Sequence, residues 1–304
     1  MSVPVPAGPQ DAQGARVVAV ISDGSADMTR LAEPRGALGL VLRRYAALIR
    51  ETAGLPTHVL TLQASGPARF ASLFSAALGG VADEVAAVFL PHTDPARASL
   101  VGSSGNGPLV VTERDTTAIA LTAELCTTLA GAGRTPAASR VVIAGTERMP
   151  MLAALLVAAG VGDLTAWHVS DAAAFPLGRV AAEADVVINL LGEFPAIGAI
   201  RADHPDLVVI VPDVRRDPLL VLPGLLRAAV LVPGIELDVE VAYGAALALV
   251  MATPPLATLP PGPDRELANQ VADAVIWALP PAARHPSGLQ PRHPGPHLPR
   301  PDTH

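Results

Sequence analysis

Short runs of β-branched and other apolar residues alternate with longer segments rich in alanine and leucine along most of this chain. This alternation is typical of βα units, in which helices cover both faces of a parallel sheet and the buried strands are continuously apolar. We therefore predict an α/β fold. The predicted strands cover residues 16–22, 58–63, 86–90 and 109–112 in the first half, and 141–144, 164–169, 186–191 and 207–211 in the second half.

Apolar residues with helical spacing occupy the segments between the predicted strands, for example 39–52 and 116–129. A turn-rich stretch at 131–139 separates the two sets of strands, and we place a domain boundary there. The predicted domains cover 17–133 and 134–278. Three further helices are predicted at 219–231, 236–251 and 264–278, and they either close the second domain or return to the first.

Both ends of the chain are poor in core-forming residues. Residues 1–16 form one such end, and the other is the tail at 279–304, where proline is frequent among scattered histidine and arginine. Such a composition cannot bury enough apolar area to offset the entropy of ordering. We predict that both ends are disordered, although the histidines of the tail leave weak metal binding open as an alternative.

Composition excludes several classes of chemistry. All 21 basic residues are arginine, so catalysis through a lysine Schiff base, a lysine general base or a Walker-type lysine is excluded. The net charge of −7 and the scattered arginines argue against a nucleic-acid partner. The single cysteine, Cys126, is predicted to be a buried apolar residue in a reducing compartment, and no apolar run is long enough to span a bilayer. We expect a cytoplasmic protein without a membrane partner.

Four motifs lie at the ends of predicted strands, with a fifth near the end of the second domain. They are VVAVISDGSA at 17–26, AVFLPHTDPAR at 87–97, PLVVTERDTTAI at 108–119, VVIAGTERMPMLAALLVAAGV at 141–161 and VLPGLLRAAV at 221–230. In order and spacing, this set resembles the malic enzymes, which use NAD(P) and Mg or Mn to decarboxylate malate to pyruvate. The resemblance implies an N-terminal α/β malic-enzyme-like domain followed by a Rossmann-type NAD(P)-binding-like domain, with the active site between them.

The same resemblance implies that much of the family's catalytic machinery is replaced. The family's base lysine falls on Tyr45, and its metal-binding carboxylates fall on Pro91, His92, Thr112 and Glu113. We also expect the family's enol-protonating tyrosine to be missing. One imidazole and one carboxylate, His92 and Glu113, remain as candidate metal ligands, and they suit Mg or Mn less well than three oxygen ligands.

Tyr45 and two residues near these positions each have two possible roles. Asp94 and Asp115 could join His92 and Glu113 in a rearranged site, with Asp115 as a catalytic residue, or they could cap helices; Asp115 is then expected to be an N-cap. Tyr45 is a candidate proton-transfer group, but on an amphipathic helix it could equally be a packed aromatic residue.

The expected pyrophosphate-binding turn is poor in glycine. Gly145, Arg148 and, after the next strand, Asp171 are the candidate cofactor-binding residues. Glu147 would bring negative charge toward the phosphates, and Pro150 removes a backbone N–H group that such a turn uses. The alternative is that Arg148 and Asp171 are solvated turn residues.

Three functional hypotheses remain open. The first is a malic-enzyme-like protein that has lost oxidative decarboxylation of malate, as a pseudoenzyme or as an associating subunit of a homo- or hetero-oligomer. The second is an oxidoreductase of altered chemistry on a small carboxylate in a rearranged cleft. The third is a non-catalytic regulatory module that binds a small molecule.

Overall fold

Each half of the chain builds one four-stranded parallel sheet in the computed structural model, which describes residues 16–26, 38–79, 84–102 and 107–281. The first sheet has the order β2-β1-β3-β4, and the second has the order β6-β5-β7-β8. The predicted α/β class is confirmed. The strands are β1 (Val17–Ser22), β2 (Thr57–Thr61), β3 (Val85–Leu90), β4 (Leu109–Thr112), β5 (Arg140–Ala144), β6 (Asp163–Trp167), β7 (Val186–Asn189) and β8 (Val208–Ile210).

Helices connect the strands, and three more follow the last strand. They are α1 (Leu38–Ala53), α2 (Pro67–Leu78), α3 (Pro95–Ala98), α4 (Glu113–Gly131), α5 (Pro150–Ala158), α6 (Leu177–Ala181), α7 (Pro195–Asp203), α8 (Asp217–Leu231), α9 (Val239–Ala252) and α10 (Arg265–Ala278). In each sheet the strand order reverses beside the strand that comes first in the chain. Ligands of such sheets bind at this reversal, outside the carboxyl ends of the strands.

The last three helices pack against helices of the first half of the chain. Helix α8 contacts α1 and α4, α9 contacts α4 and α5, and α10 contacts α1 as well as α8 and α9. One apolar core therefore joins residues of both halves, including Leu42, Leu121, Leu152, Leu222 and Val271. Of the two sequence-based alternatives, this packing matches a return to the first half. The division of the chain at residue 134 into domains stays a prediction.

Two expectations from the sequence need correction. Cys126 is half-buried because the helical period of α4 places Leu125 and Leu129 on the core face and leaves Cys126 beside it. Leu279 is buried in the core, so the apolar structure continues one residue into the predicted tail. The predicted disorder of 1–15 and 282–304 lies outside the described residues. Within the described ranges, none of the helices has the length and apolarity needed to cross a membrane.

Gly224 allows α8 and α10 to approach closely, since a Cβ atom there would lie 2.5 Å from Val271 and 2.9 Å from the Ala268 carbonyl oxygen. We expect Gly224→Ala to lower the free energy of unfolding by about 1–3 kcal/mol, because backbone and a β-branched side chain must move. Denaturant unfolding measures the change. Gly198→Ala in α7 is the control: nothing lies within 4 Å of its Cβ position, and it should stabilise by about 0.5–1 kcal/mol. Equal effects of the two variants would contradict this account.

Candidate functional site

The carboxyl ends of strands from both sheets face one cavity of about 330 Å³. His92 follows β3, Glu113 follows β4, Arg148 follows β5 and Leu190 follows β7, and all four line it. The cavity therefore lies where the topology of both sheets favours ligand binding. It is at the small end of the range that is usual for ligand pockets.

Three residues from three elements form a hydrogen-bonded cluster at this cavity. The Tyr45 hydroxyl on α1 donates to Glu113 Oε1 over 2.7 Å, and the backbone N–H of His92 donates to Glu113 Oε2 over 2.9 Å. His92 Nδ1 also lies 3.3 Å from Glu113 Oε2, while its Nε2 lies 3.5 Å from the Tyr45 oxygen. The structure thus brings together Tyr45, His92 and Glu113, three of the residues singled out from the sequence.

The position of His92 depends on an unusual backbone conformation. Its φ is 50°, in the left-handed region that histidine adopts more often than most residues. Two backbone hydrogen bonds hold it there: its N–H bonds Glu113, and its carbonyl oxygen accepts from Ala26 N over 3.0 Å. The imidazole is only 5% exposed as a result.

The turn after β1 connects this region to β3. The carboxylate of Asp23 is buried and forms an ion pair with Arg97 of α3, and it also accepts from the Ser25 hydroxyl over 2.6 Å. Ser25 Oγ in turn accepts from the backbone N–H of Asp94 over 2.8 Å. The tight turn expected for Asp23 and Gly24 is present, with Gly24 at a φ of 64°. Sequence reasoning missed Arg97, although a buried aspartate requires a cationic partner.

The environment of Tyr45 keeps its phenol protonated. Burial raises the pKa of Tyr45, and the neighbouring charge of Glu113 and the hydrogen bond to it raise this pKa further. The ring also packs edge-on against Phe89, with 5.3 Å between ring centroids. Tyr45 is therefore both a packed aromatic residue and a hydrogen-bond donor, but it is poorly suited to accept a proton.

Asp94 and Asp115 do not join the cluster. Asp94 is the N-cap of α3 and accepts from Ala96 N over 2.9 Å. Asp115 accepts from the backbone N–H and the hydroxyl of Thr112, and burial raises its pKa. The expected N-cap role of Asp115 is wrong in detail: α4 begins at Glu113, so Thr112 is the N-cap and Asp115 completes a capping box.

The donor set does not fit Mg or Mn. Both oxygens of Glu113 already accept hydrogen bonds from Tyr45 and His92. Across the described ranges, no group of three or more histidine, cysteine, aspartate or glutamate side chains could hold a metal ion. Hard divalent cations prefer several oxygen ligands, and this cluster offers one carboxylate beside an imidazole.

The turn after β5 does not fit a dinucleotide either. Gly145 has a φ of 90°, and a Cβ atom there would lie 2.6 Å from a methyl group of Leu191. This glycine is therefore required by the turn itself. A short 3-10 helix follows at Thr146–Arg148, and Pro150 begins α5 without an N–H group. The backbone N–H groups of Arg148 and Met149 donate to the carbonyl oxygens of Gly145 and Thr146, so these two groups are not available to hold a pyrophosphate.

Side chains of the same turn reach the neighbouring strands. Arg148 Nη1 donates to the Leu190 carbonyl oxygen over 3.3 Å, which links the ends of β5 and β7. Glu147 Oε2 lies 3.2 Å from Nδ1 of His168, the residue that follows β6. Asp171 accepts from the backbone N–H of His168 over 3.2 Å. Of the three candidate cofactor-binding residues, only Arg148 lines the cavity.

Arg114 is a cavity residue that sequence reasoning missed. It lies in the first turn of α4, between the two candidates Glu113 and Asp115. The signal that could have identified it is positional, because residues that directly follow a parallel strand gather at the ligand-binding edge of the sheet.

Two parallel sheets that share a cleft at their carboxyl ends define an α/β protein whose second half is Rossmann-like. More particularly, the chain has the malic-enzyme fold. It is similar to the NAD-dependent malic enzyme of Thermotoga maritima (17% identity, TM-score 0.69, covering 86% of this chain and 84% of that one). The malic enzyme of Pyrococcus horikoshii (17%, 0.68, 86% and 76%) and that of Entamoeba histolytica (16%, 0.67, 87% and 69%) are similar too. The sequence matches no protein-family model and no curated protein sequence.

We expect Tyr45→Phe to lower the free energy of unfolding by about 1.5–3 kcal/mol at neutral pH, because Glu113 loses a hydrogen-bond donor. The raised pKa of Tyr45 gives this difference a pH dependence. Unfolded tyrosine ionises near pH 10 while folded Tyr45 stays protonated, so the contribution is complete below about pH 10 and decreases above it. Denaturant unfolding of wild type and variant at several alkaline pH values measures the difference.

The control for this measurement is Tyr243→Phe, which keeps Tyr45 and the bond to Glu113. This variant should retain the steep alkaline loss of stability that Tyr45 causes. If the free energy of unfolding of Tyr45→Phe fell as steeply above pH 10 as that of wild type, Tyr45 would not be the source of the alkaline loss.

Proposed function

We propose that this protein is a non-catalytic member of the malic-enzyme fold that binds a small anion, such as a carboxylate, in the cleft between its sheets. It does not carry out NAD(P)-dependent oxidative decarboxylation of malate. The observation that carries the proposal is the closed hydrogen-bond cluster of Tyr45, His92 and Glu113. We place the protein in the cytoplasm on its cysteine content, and association into a homo- or hetero-oligomer stays a prediction.

The cluster supports a loss of decarboxylation in two ways. It offers no base for the alcohol proton and a poor set of ligands for the metal ion. Oxidation of malate requires a base for the alcohol proton and a cation for the charge that develops on the oxygen. Tyr45 stands at the position of the family's base, and its hydroxyl group donates a hydrogen bond to Glu113. Glu113 stands at a metal-ligand position, but in this cluster it is one carboxylate beside an imidazole, a poor ligand set for a hard divalent cation.

The cavity itself supports anion binding. Arg114 and Arg148 both line it, whereas Glu113 is its acidic lining residue and is hydrogen-bonded to Tyr45 and His92. Guanidinium groups bind carboxylates and phosphates through paired N–H donors. A small anion is therefore the ligand that the charges of the lining favour.

A second candidate function is acid–base catalysis on a small carboxylate by His92. The imidazole lines the cavity, and its Nδ1 lies 3.3 Å from the Glu113 carboxylate. A carboxylate in this position orients a histidine that acts as a general base. One contact argues against this second function. Nε2 of His92 lies 3.5 Å from the hydroxyl oxygen of Tyr45, so both ring nitrogens face residues of the cluster.

We expect the purified protein to reduce neither NAD nor NADP when it is incubated with malate and Mn²⁺. The physical reason is that Tyr45 cannot serve as the base at neutral pH, since its pKa is raised. Absorbance of the reduced nicotinamide measures turnover, with a catalytically active malic enzyme as the positive control. A rate of about 1 per second or more, in the range that is usual for enzymes, would contradict the proposal.

Titration with Mn²⁺ tests the donor set separately. We expect wild type and the double variant His92→Ala, Glu113→Ala to give the same heats by isothermal titration calorimetry, because neither holds a divalent cation in the cleft. Thermal unfolding without metal checks that the double variant is folded. Saturable binding of Mn²⁺ to wild type that is lost in the double variant would show that His92 and Glu113 hold a metal ion, and it would contradict this prediction.

A further inference from the structure

We propose that Asn189, through the carbonyl group of Leu190, positions Arg148 as an anion-binding side chain of the cavity. This inference rests on the proposed anion-binding function, and it names the side chain that binds the anion and the residue that orients it. Arg148 follows β5 and Leu190 follows β7, and both line the cavity. The anionic group is a carboxylate or a phosphate, because a guanidinium group pairs with the oxygens of either one.

Asn189 is the last residue of β7 and is only 2% exposed. Both polar atoms of its side-chain amide have partners in the turn that follows. Its Oδ1 accepts from the backbone N–H of Leu191 over 3.0 Å, and its Nδ2 donates to the Gly192 carbonyl oxygen over 2.8 Å. An asparagine that bonds the backbone just after it holds a turn in one conformation.

The bond to Leu191 sets the direction of the Leu190 carbonyl group. The peptide group between Leu190 and Leu191 is planar and trans, so its C=O and N–H groups point in opposite directions. Because the N–H group points to Asn189, the carbonyl oxygen points away from it. There the oxygen accepts from Arg148 Nη1 over 3.3 Å. The asparagine and the arginine thus bind opposite edges of one peptide group.

Arg148 has donors left for a ligand. A guanidinium group carries five N–H donors, and the bond to Leu190 uses one of them. None of the ion pairs among the described residues includes Arg148. The carboxylate of its neighbour Glu147 lies beside His168 instead. A cationic side chain that lines a cavity in this way is suited to bind an anion through its remaining donors.

The positioning matters because an arginine side chain has many rotamers and loses conformational entropy when it is immobilised. The bond to Leu190 removes part of this freedom before an anion arrives. We therefore expect an affinity about 2- to 10-fold higher than that of an unrestrained arginine, the effect of ordering one flexible side chain in advance.

Isothermal titration calorimetry with succinate and with inorganic phosphate tests the proposal as a double-mutant cycle on the full chain. Arg148→Met keeps an unbranched side chain and removes the charge, and we expect it to weaken binding by about 10- to 100-fold. Asn189→Ala should weaken binding by about 2- to 10-fold in wild type and have no effect in the Arg148→Met background. A residue that only stabilises the fold would weaken binding by the same factor in both backgrounds.

Asn269→Ala and Arg201→Met are the matched controls, because both residues are exposed and neither lines the cavity. Both variants should leave binding unchanged. Thermal unfolding without ligand verifies the fold of each variant. Asn189→Ser keeps a weaker acceptor for the N–H group of Leu191, and it replaces Asn189→Ala in the cycle if the alanine variant does not fold.

Nuclear magnetic relaxation of the Arg148 Nε–H group tests the positioning without any ligand. We expect its order parameter to be lower in Asn189→Ser than in wild type, and an unchanged value overturns the positioning role.

The titrations separate the remaining outcomes. Binding of either anion with the expected dependence on both residues supports the inference, and the tighter of the two identifies the anionic group. Equal effects of the Asn189 variant in both backgrounds overturn the positioning role. Binding that does not depend on Arg148 overturns the site and leaves the proposed anion-binding function standing. Failure of both anions to bind wild type overturns that function and, with it, the role of Arg148.

Discussion

The carboxylate of Glu113 is the group on which the arrangement of the cleft depends. It follows β4, accepts from Tyr45 of α1 and accepts from the backbone of His92 after β3, so one side chain connects three elements of the first half. A partly buried carboxylate needs such donors, because leaving it without them costs free energy. The same bonds hold His92 in its left-handed conformation. Burial raises the pKa of Tyr45, and the charge of Glu113 and the hydrogen bond to it raise this pKa further. The stability of the cleft and the loss of decarboxylation that we propose for it thus rest on the same side chain.

The second constraint is the return of the chain after β8. Helices α8, α9 and α10 pack on α1 and α4, and the close approach at Gly224 brings α8 against α10. The core that results contains residues of both halves, so the two sheets are held together by apolar burial as well as by the connection between them. This packing places the start of α8 beside the cavity and brings Arg148 and Arg114 to a common space.

Much of the fold could be predicted from the sequence, because buried parallel strands and amphipathic helices have distinct apolar periods. The strand predicted at 109–112 is observed with these bounds, and the one predicted at 186–191 is observed at 186–189. The tight turn expected at Asp23 and Gly24 is also present, with a φ of 64° at Gly24. The site could be predicted only in part. His92 and Glu113 are candidates from the sequence because the resemblance to the malic enzymes places them at metal-ligand positions. The role of Asp115, however, depends on α4 beginning three residues earlier than the apolar pattern indicates. Capping bonds, rather than apolar spacing, set that boundary.

The sequence by itself determined the α/β class, the order of the strands along the chain and the absence of any lysine at the position of the family's base. These properties follow from local periodicity and from residue identity, which need no knowledge of distant contacts. Only the tertiary structure decided that Tyr45, separated from Glu113 by 68 residues, donates to it, and that Arg148 reaches Leu190 across the end of the second sheet. Such contacts depend on strand order and helix packing, and one sequence does not encode them in any local pattern.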